Sequence, residues 1–222
     1  MDQTYKLFPN VKIGPGAEIG DFCLIGVPPK GHEAGELETV IGANAVIRSH
    51  TVIYAGNRIG DNFQTGHHTL VRECNQIGDN VSIGSSCIIE HHIEIGNGVR
   101  VQGKAGIAEY SVLEDGCWIG PYVVFTNTPR PTCKNAKTCV RGPRVKRNAI
   151  IAGRVTLVPG VVVGEGAFVA LNSVVTKDVP PYKLVAGSKA LVVGNREDMK
   201  CPYDYSLEPC YGHEQNEENS LS

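Results

Sequence analysis

The sequence predicts an all-β fold, a parallel β-helix, because a six-residue repeat extends over most of the chain. An aliphatic residue returns at every sixth position between Ile41 and Phe125, and only Thr65 interrupts the apolar series. The residue after the aliphatic is often Gly or acidic, and the fourth residue after it is usually small or branched. Helices need a repeat near 3.6 residues and half-exposed strands a repeat of two, so neither explains this spacing.

Units of six residues are too short to bury an apolar face alone, so neighbouring units must stack on one shared core. Three units close one triangular coil of eighteen residues, with short parallel strands on its sides. Regular hexads occupy residues 8–26 and 40–125, and they resume in a new phase at Val145. We therefore expect about eight triangular coils.

Two segments leave the repeat and are expected to form loops. Residues 27–39 are rich in Pro and Gly, and residues 126–144 contain three prolines and five basic residues. A long basic loop on a regular solenoid favours a functional role, with a tolerated insertion as the alternative. We expect one β-helix domain over residues 1–179, followed by a cap and tail over residues 180–222 whose last ten or so residues are disordered.

The composition argues against several functional classes. The formal net charge is −2, which gives no support to nucleic-acid binding or to a polybasic membrane surface. No segment approaches the roughly twenty apolar residues that a transmembrane helix needs. We expect a cytoplasmic protein without nucleic-acid or membrane partners.

Several of the eight cysteines fit the repeat. Those in the small inward position are predicted to be reduced core residues: Cys23, Cys87 and Cys117. Four others lie outside the repeat and could hold zinc: Cys133, Cys139, Cys201 and Cys210. Because their spacings are longer than those of common structural zinc sites, we expect no metal.

Residues eighteen apart should lie above one another, about 4.8 Å apart. One such column contains Glu73, His91, Glu109 and Asn127. A histidine between two carboxylates is suited to act as a general base, since the acids orient the ring and stabilise the imidazolium. A solvated ladder of alternating charge is the structural alternative. The density of polar residues favours chemistry, because two adjacent coils also carry His67, His68, Arg72, Glu90 and His92.

Several segments resemble one protein superfamily. They are Thr65-Gly-His-His-Thr-Leu-Val-Arg-Glu73, Ile89-Glu-His91, Leu113-Glu-Asp-Gly-Cys-Trp-Ile-Gly-Pro121, Phe125-Thr-Asn127 and Val174-Val-Thr-Lys-Asp-Val-Pro-Pro181. Together they resemble the hexapeptide-repeat acyltransferases, and within them the nucleotide-sugar N-acetyltransferases of polysaccharide biosynthesis. The resemblance implies a left-handed β-helix, a homotrimer, and acetyl-coenzyme A bound between neighbouring subunits. It implies transfer of an acyl group to the amine of a nucleotide-linked amino sugar.

The resemblance also suggests roles for individual residues. His91 is the expected base, oriented by Glu73 and Glu109, with Glu90 as a second polar wall and His68 as the competing base. The substrate is expected to contact Arg72, His67, Asn127 and Arg130. Coenzyme A is expected along Ala152, Gly153, Ala170 and Gly187, with Lys177 and Lys189 at its phosphates.

Two departures from the family pattern bear on these roles. The segment Val101-Gln-Gly-Lys104 lacks the base that relatives carry there, which gives His91 more weight. The segment Gly187-Ser-Lys-Ala190 replaces the frequent Gly-Asn-Pro-Ala, which leaves the adenine contacts open.

Two other functions compete with the transferase. One is a non-catalytic scaffold on the same fold. The other is a zinc-dependent γ-type carbonic anhydrase, disfavoured because the histidines of this chain come in adjacent pairs. The sequence leaves open which sugar is acylated, at which amine, and whether the acyl group is longer than acetyl.

Overall fold

The structure, a computed structural model, describes residues 4–199. It is a parallel β-helix with almost no helical structure, so the predicted all-β fold class is confirmed. Cys201, Cys210 and the end of the predicted tail lie outside the described residues. Within residues 4–199, no helix has the length and apolar character of a membrane span.

Three sheets, here called faces A, B and C, form the sides of the helix. Face A contains β1 (Lys6–Leu7), β4 (Leu24–Val27), β7 (Val52–Tyr54), β10 (Leu70–Val71), β13 (Ile88–Ile89), β16 (Gly106–Ile107), β19 (Val124–Phe125), β22 (Thr156–Leu157) and β25 (Val174–Val175). Face B contains β2 (Val11–Ile13), β5 (Thr39–Ile41), β8 (Arg58–Ile59), β11 (Gln76–Ile77), β14 (Glu94–Ile95), β17 (Val112–Leu113), β20 (Arg144–Val145) and β23 (Val162–Val163).

Face C contains β3 (Glu18–Ile19), β6 (Val46–Ile47), β9 (Gln64–Thr65), β12 (Ser82–Ile83), β15 (Arg100–Val101), β18 (Trp118–Ile119), β21 (Ile150–Ile151), β24 (Phe168–Val169), β26 (Lys183–Ala186) and β27 (Leu191–Asn195). Two 3-10 turns complete the described structure, Ala136–Thr138 and Arg196–Asp198. Because the faces have nine, eight and ten strands, the coils slightly outnumber the eight expected.

The core consists of the predicted aliphatic series. Ile77 pairs with Ile59 below and Ile95 above, which gives the register of eighteen residues. These side chains are at most 5 % exposed. Thr65 is buried as well, and its hydroxyl accepts a hydrogen bond from the Arg48 backbone N–H.

The two interruptions of the repeat are loops. Val11 pairs with Thr39, 28 residues on, and Val112 pairs with Arg144, 32 residues on. Relative to a coil of eighteen residues, the loops therefore add 10 and 14 residues. Their bounds are slightly narrower than predicted, because residues 27, 39 and 144 lie in strands.

A hairpin forms the C-terminal end of face C. Strand β26 pairs with β24 in parallel, so face C continues past residue 179, where we expected the β-helix domain to end. Strand β27 then folds back antiparallel on β26 and forms the last strand of the sheet.

The cysteines of the repeat are free thiols in the core, as predicted. Cys23, Cys87 and Cys117 are at most 1 % exposed, and burial raises the pKa of the Cys117 thiol to about 12. Cys133 and Cys139 are exposed free thiols.

At the corners between faces B and C, a side chain of the next coil occupies the space that a Cβ atom would need, so the chain has glycine there. The Ala43 backbone N–H donates to Asp61 Oδ1 at 2.7 Å, and the Asp61 N–H donates to Asp79 Oδ1 at 2.8 Å. A Cβ atom on Gly60 would lie 2.2 Å from Asp79 Oδ1 and 2.8 Å from the backbone of Gly78. The position after the aliphatic is therefore small because a hydrogen-bonded carboxylate occupies the space.

Gly60→Ala is expected to lower the free energy of unfolding by about 1–3 kcal/mol, because the added methyl group displaces Asp79 and the backbone. Denaturant unfolding followed by circular dichroism measures the change. The matched control is Gly106→Ala on face A, where an added Cβ meets nothing within 4 Å. Equal stability of the two variants would contradict this account.

Candidate functional site

The predicted polar column lies along the edge between faces A and B, here called edge AB. Glu73, His91, Glu109 and Asn127 each stand two residues after a strand of face A. The residue after three of them adopts a left-handed conformation, with φ of 60° at Cys74, 55° at His92 and 60° at Tyr110. This corner turns the chain onto face B and leaves the column outside the core.

Three members of the column form a continuous chain of polar contacts. His91 Nε2 lies 3.1 Å from Glu109 Oε1, and Asn127 Nδ2 donates to Glu109 Oε2 at 3.2 Å. The Thr128 hydroxyl donates to Asn127 Oδ1 at 3.0 Å. Both carboxylate oxygens of Glu109 are thus engaged, which fixes its orientation toward the imidazole.

The other ring nitrogen of His91 faces a second histidine. His91 Nδ1 lies 2.9 Å from His92 Nδ1, and the Tyr110 ring contacts both imidazoles edge-on or tilted at 5.6 Å. A proton on His91 Nε2 would make His91 Nδ1 the acceptor in this contact and His92 Nδ1 its donor. Because the His92 side chain is exposed, another donor can replace it.

Glu73 is the second acid predicted to orient His91, but its carboxylate is held by Arg72. Arg72 Nε and Nη2 donate to Glu73 at 2.8 and 2.9 Å, and no hydrogen bond among residues 4–199 joins Glu73 to His91. Burial favours a higher pKa for the Glu73 carboxyl, but the hydrogen bonds from Arg72 and the backbone outweigh it. The pKa of Glu73 therefore lies below its ordinary value of 4.5.

Arg72 is less available to a substrate phosphate than the sequence suggested. Its Nη1 lies 3.4 Å from Glu90 Oε2, and its guanidinium lies 5.2 Å from the centroid of the Tyr54 ring. Two carboxylates already neutralise its charge. Arg130, in contrast, is exposed in the second loop.

His67 and His68 belong to the polar residues of the two adjacent coils, but within one chain they do not lie with His91. Both follow β9 of face C and lie on the edge between faces C and A, here called edge CA. His67 Nδ1 lies 2.9 Å from the Ser49 hydroxyl, and the His68 ring stacks on His50 at 4.6 Å. The two histidines and His91 therefore occupy different corners of the helix, on either side of face A. This follows because successive hexads place their residues on three different edges.

The predicted coenzyme A residues also divide between edges. Those with small side chains follow strands of face C and share edge CA: Ala152, Gly153, Ala170 and Gly187. Lys177 follows β25 of face A and lies on edge AB, above the His91 column. Lys189 is exposed in the turn between β26 and β27.

A groove of about 320 Å³ adjoins the His91 chain on face A. Its lining includes Ile88, Gly106 and Val124 from the strands, and Glu109 and Asn127 from the edge. Gly106 is not among the residues predicted from the sequence to form the site. Its position could have indicated a role, since Gly106 is the one glycine among the outward residues of the neighbouring face A strands.

Residues 4–199 contain no group of three or more His, Cys, Asp or Glu side chains placed to hold a metal ion. The zinc alternative that uses Cys201 and Cys210 falls outside this range.

Comparison with known proteins identifies the repeat. Residues 76–109 match a family model described as "Bacterial transferase hexapeptide (six repeats)". A putative acetyltransferase of Staphylococcus aureus is 43% identical over 53 residues, which cover 23% of this chain and 27% of that protein. A putative serine acetyltransferase of Schizosaccharomyces pombe is 36% identical over 88 residues, which cover 40% of this chain and 30% of that protein.

A solved structure is similar over a larger share of the chain. The hexapeptide-repeat-containing acetyltransferase of Vibrio cholerae, in complex with acetyl coenzyme A, aligns with 22% identity and a TM-score of 0.45. The alignment covers 60% of this chain and 70% of that one. The chain spans about a quarter of the length of the staphylococcal protein that it matches.

Glu73→Gln is expected to lower the free energy of unfolding by about 1 kcal/mol or less at pH 7, because it breaks a partly exposed ion pair. The folded pKa of Glu73 is depressed, so this stability is present above pH 4.5 and is lost as the pH falls through the depressed value. Denaturant unfolding at pH 7 and pH 3 measures the difference between wild type and variant, which should shrink at pH 3. The control is Glu94→Gln, at a face B position outside the described ion pairs; a Glu73→Gln effect that is equal at both pH values would contradict the assignment.

Proposed function

Because the chain is a hexapeptide-repeat protein with an ordered His–Glu–Asn chain on edge AB, we propose that it is an acyl-coenzyme A-dependent acyltransferase. The observation that carries the proposal is the 3.1 Å contact between His91 Nε2 and Glu109 Oε1. The matched repeat model of bacterial transferases and the acetyltransferases among its relatives support this class. The proposed donor is acetyl-coenzyme A, and the proposed acceptor is the amine of a nucleotide-linked amino sugar in the cytoplasm.

His91 acts as the general base in this proposal. Glu109 holds the Nε2–H tautomer and stabilises the imidazolium, so the free electron pair of the ring is on Nδ1. The amine displaces His92 from Nδ1 and attacks the thioester carbonyl carbon. As the carbon–nitrogen bond forms, the amine proton passes to Nδ1. The tetrahedral intermediate then expels the thiolate of coenzyme A, which receives that proton, and the amide is released.

Charges near the site favour an anionic acceptor that reaches toward the second loop. Arg72 is neutralised by Glu73 and Glu90, whereas Arg130, Lys134 and Lys137 are exposed. Exposed cations on a loop beside Asn127 can pair with the phosphates of a nucleotide. The sugar then lies between this loop and His91.

A homotrimer accounts for two features of the isolated chain. The outward residues of face A form an aliphatic row that includes Leu24, Ile88 and Val124, and all three are more than a third exposed. Such a row is typical of a surface that another subunit covers. Assembly around a threefold axis also lets edge CA of one chain face edge AB of the next, which brings the small residues near Gly153 and Gly187 to His91 and Lys177.

Coenzyme A is expected to stabilise the folded protein, because a ligand that binds only the native state shifts the unfolding equilibrium. At a concentration of a hundred times its Kd, the melting temperature should rise by about 5–10 °C. Differential scanning fluorimetry with coenzyme A and, as a control, with pantothenate measures the shift. The absence of any shift would favour the scaffold function.

His91→Asn is expected to lower turnover about a hundredfold or more while leaving coenzyme A binding intact, because it removes the proton acceptor and keeps a polar side chain. Thiol release from acetyl-coenzyme A, screened over nucleotide-linked amino sugars, measures the rate.

His32→Asn, which changes an exposed histidine of the first loop, is the matched control for this variant. His68→Asn tests the competing base. Unchanged turnover in His91→Asn together with a large loss in His68→Asn would transfer the role to His68. If thiol release occurred only with acceptors that carry hydroxyl groups and no amine, the proposed amine acceptor would be wrong.

A further inference from the structure

Gly106 interrupts an aliphatic row that extends from Leu24 to Val124 on the outside of face A. In adjacent strands the outward residues are Leu70, Ile88, Gly106 and Val124, each paired with the next. Ile88 and Val124 are 45% and 46% exposed. A gap of one side chain therefore lies between two half-exposed aliphatic residues.

The backbone does not require a glycine at this position. A Cβ atom on Gly106 would meet nothing within 4 Å, and Gly106 is absent from the residues with positive φ. At Gly60, in contrast, Asp79 Oδ1 leaves no space for a side chain. Glycine within a strand weakens it and often marks a place where a ligand or another backbone approaches closely.

The gap opens into the groove beside the polar column of edge AB. Ile88, Gly106 and Val124 provide its apolar part, and Glu109 and Asn127 stand at its polar border. Glu109 also contacts His91 Nε2 at 3.1 Å, so one residue borders both the groove and the proposed base. An acyl chain seated at Gly106 would then have its carbonyl end directed toward His91.

We propose that the gap at Gly106 holds the aliphatic chain of the acyl group, so that Gly106 sets the length of acyl group that the protein accepts. This inference rests on the proposed acyltransferase function. The apolar strand residues offer no side-chain hydrogen bond, so sugar hydroxyls placed there would lose their partners. An aliphatic chain has no hydrogen bonds to lose and gains buried apolar area. The gap corresponds to one missing branched side chain, which fits propionyl or butyryl groups.

The experiment compares the affinities of wild type and Gly106→Val for coenzyme A, acetyl-coenzyme A and butyryl-coenzyme A by isothermal titration calorimetry. Wild type should bind butyryl-coenzyme A at least as tightly as acetyl-coenzyme A. In Gly106→Val the Kd of butyryl-coenzyme A should rise tenfold or more, because the new side chain fills the gap, whereas the Kd of coenzyme A should change less than about twofold. Gly106→Ala should give an intermediate loss.

Gln76→Val is the matched control, because it places the same side chain at the equivalent strand position on face B. It should leave all three affinities unchanged. The melting temperature and the size-exclusion profile show whether each variant keeps its fold and assembly.

Each other outcome decides between the hypotheses. Wild type that binds none of the three ligands overturns the acyltransferase proposal and this inference together. Binding that is insensitive to Gly106→Val, or weakened equally for all three ligands, overturns the inference alone. Dissociation of the assembly in Gly106→Val, with ligand preference unchanged, assigns the gap to subunit packing and also overturns it.

Discussion

The parallel hydrogen-bonded ladder between coils is the constraint on which the rest of the structure depends. In the regular coils each strand pairs with the strand eighteen residues away, so a side chain lies directly above its counterpart in the previous coil. The core aliphatics, the Asp61–Asp79 ladder and the His91 column are three results of this one register. Loops of 10 and 14 extra residues are tolerated because they leave from a corner and return to the same register.

Electrostatic pairing divides the polar column of edge AB into two units. Arg72 binds Glu73 and Glu90, and Glu109 binds His91 and Asn127. Each of the three carboxylates on this edge, Glu73, Glu90 and Glu109, therefore has a partner. The division leaves His91 Nε2 facing Glu109 and His91 Nδ1 facing His92.

The triangular cross-section separates groups that the linear sequence places close together. His68 and Glu73 are five residues apart, yet they lie on different edges because a strand of face A intervenes. The residues proposed for coenzyme A on edge CA are likewise distant from the proposed base. In the proposed trimer, neighbouring chains would bring these edges together, with the aliphatic outer surface of face A as the proposed contact area.

The sequence by itself determined the β-helix, the core residues, both loops and the column of Glu73, His91, Glu109 and Asn127. It could do so because a fixed register converts spacing directly into position. Only the tertiary structure decided which partner each polar side chain takes, since Glu73 could reach either Arg72 or His91 along the same edge. It also decided that His67 and His68 lie on another edge, and that Gly106 leaves open space whereas Gly60 does not. These outcomes depend on contacts between coils, where side-chain length, rotamer and competing hydrogen bonds act in addition to spacing.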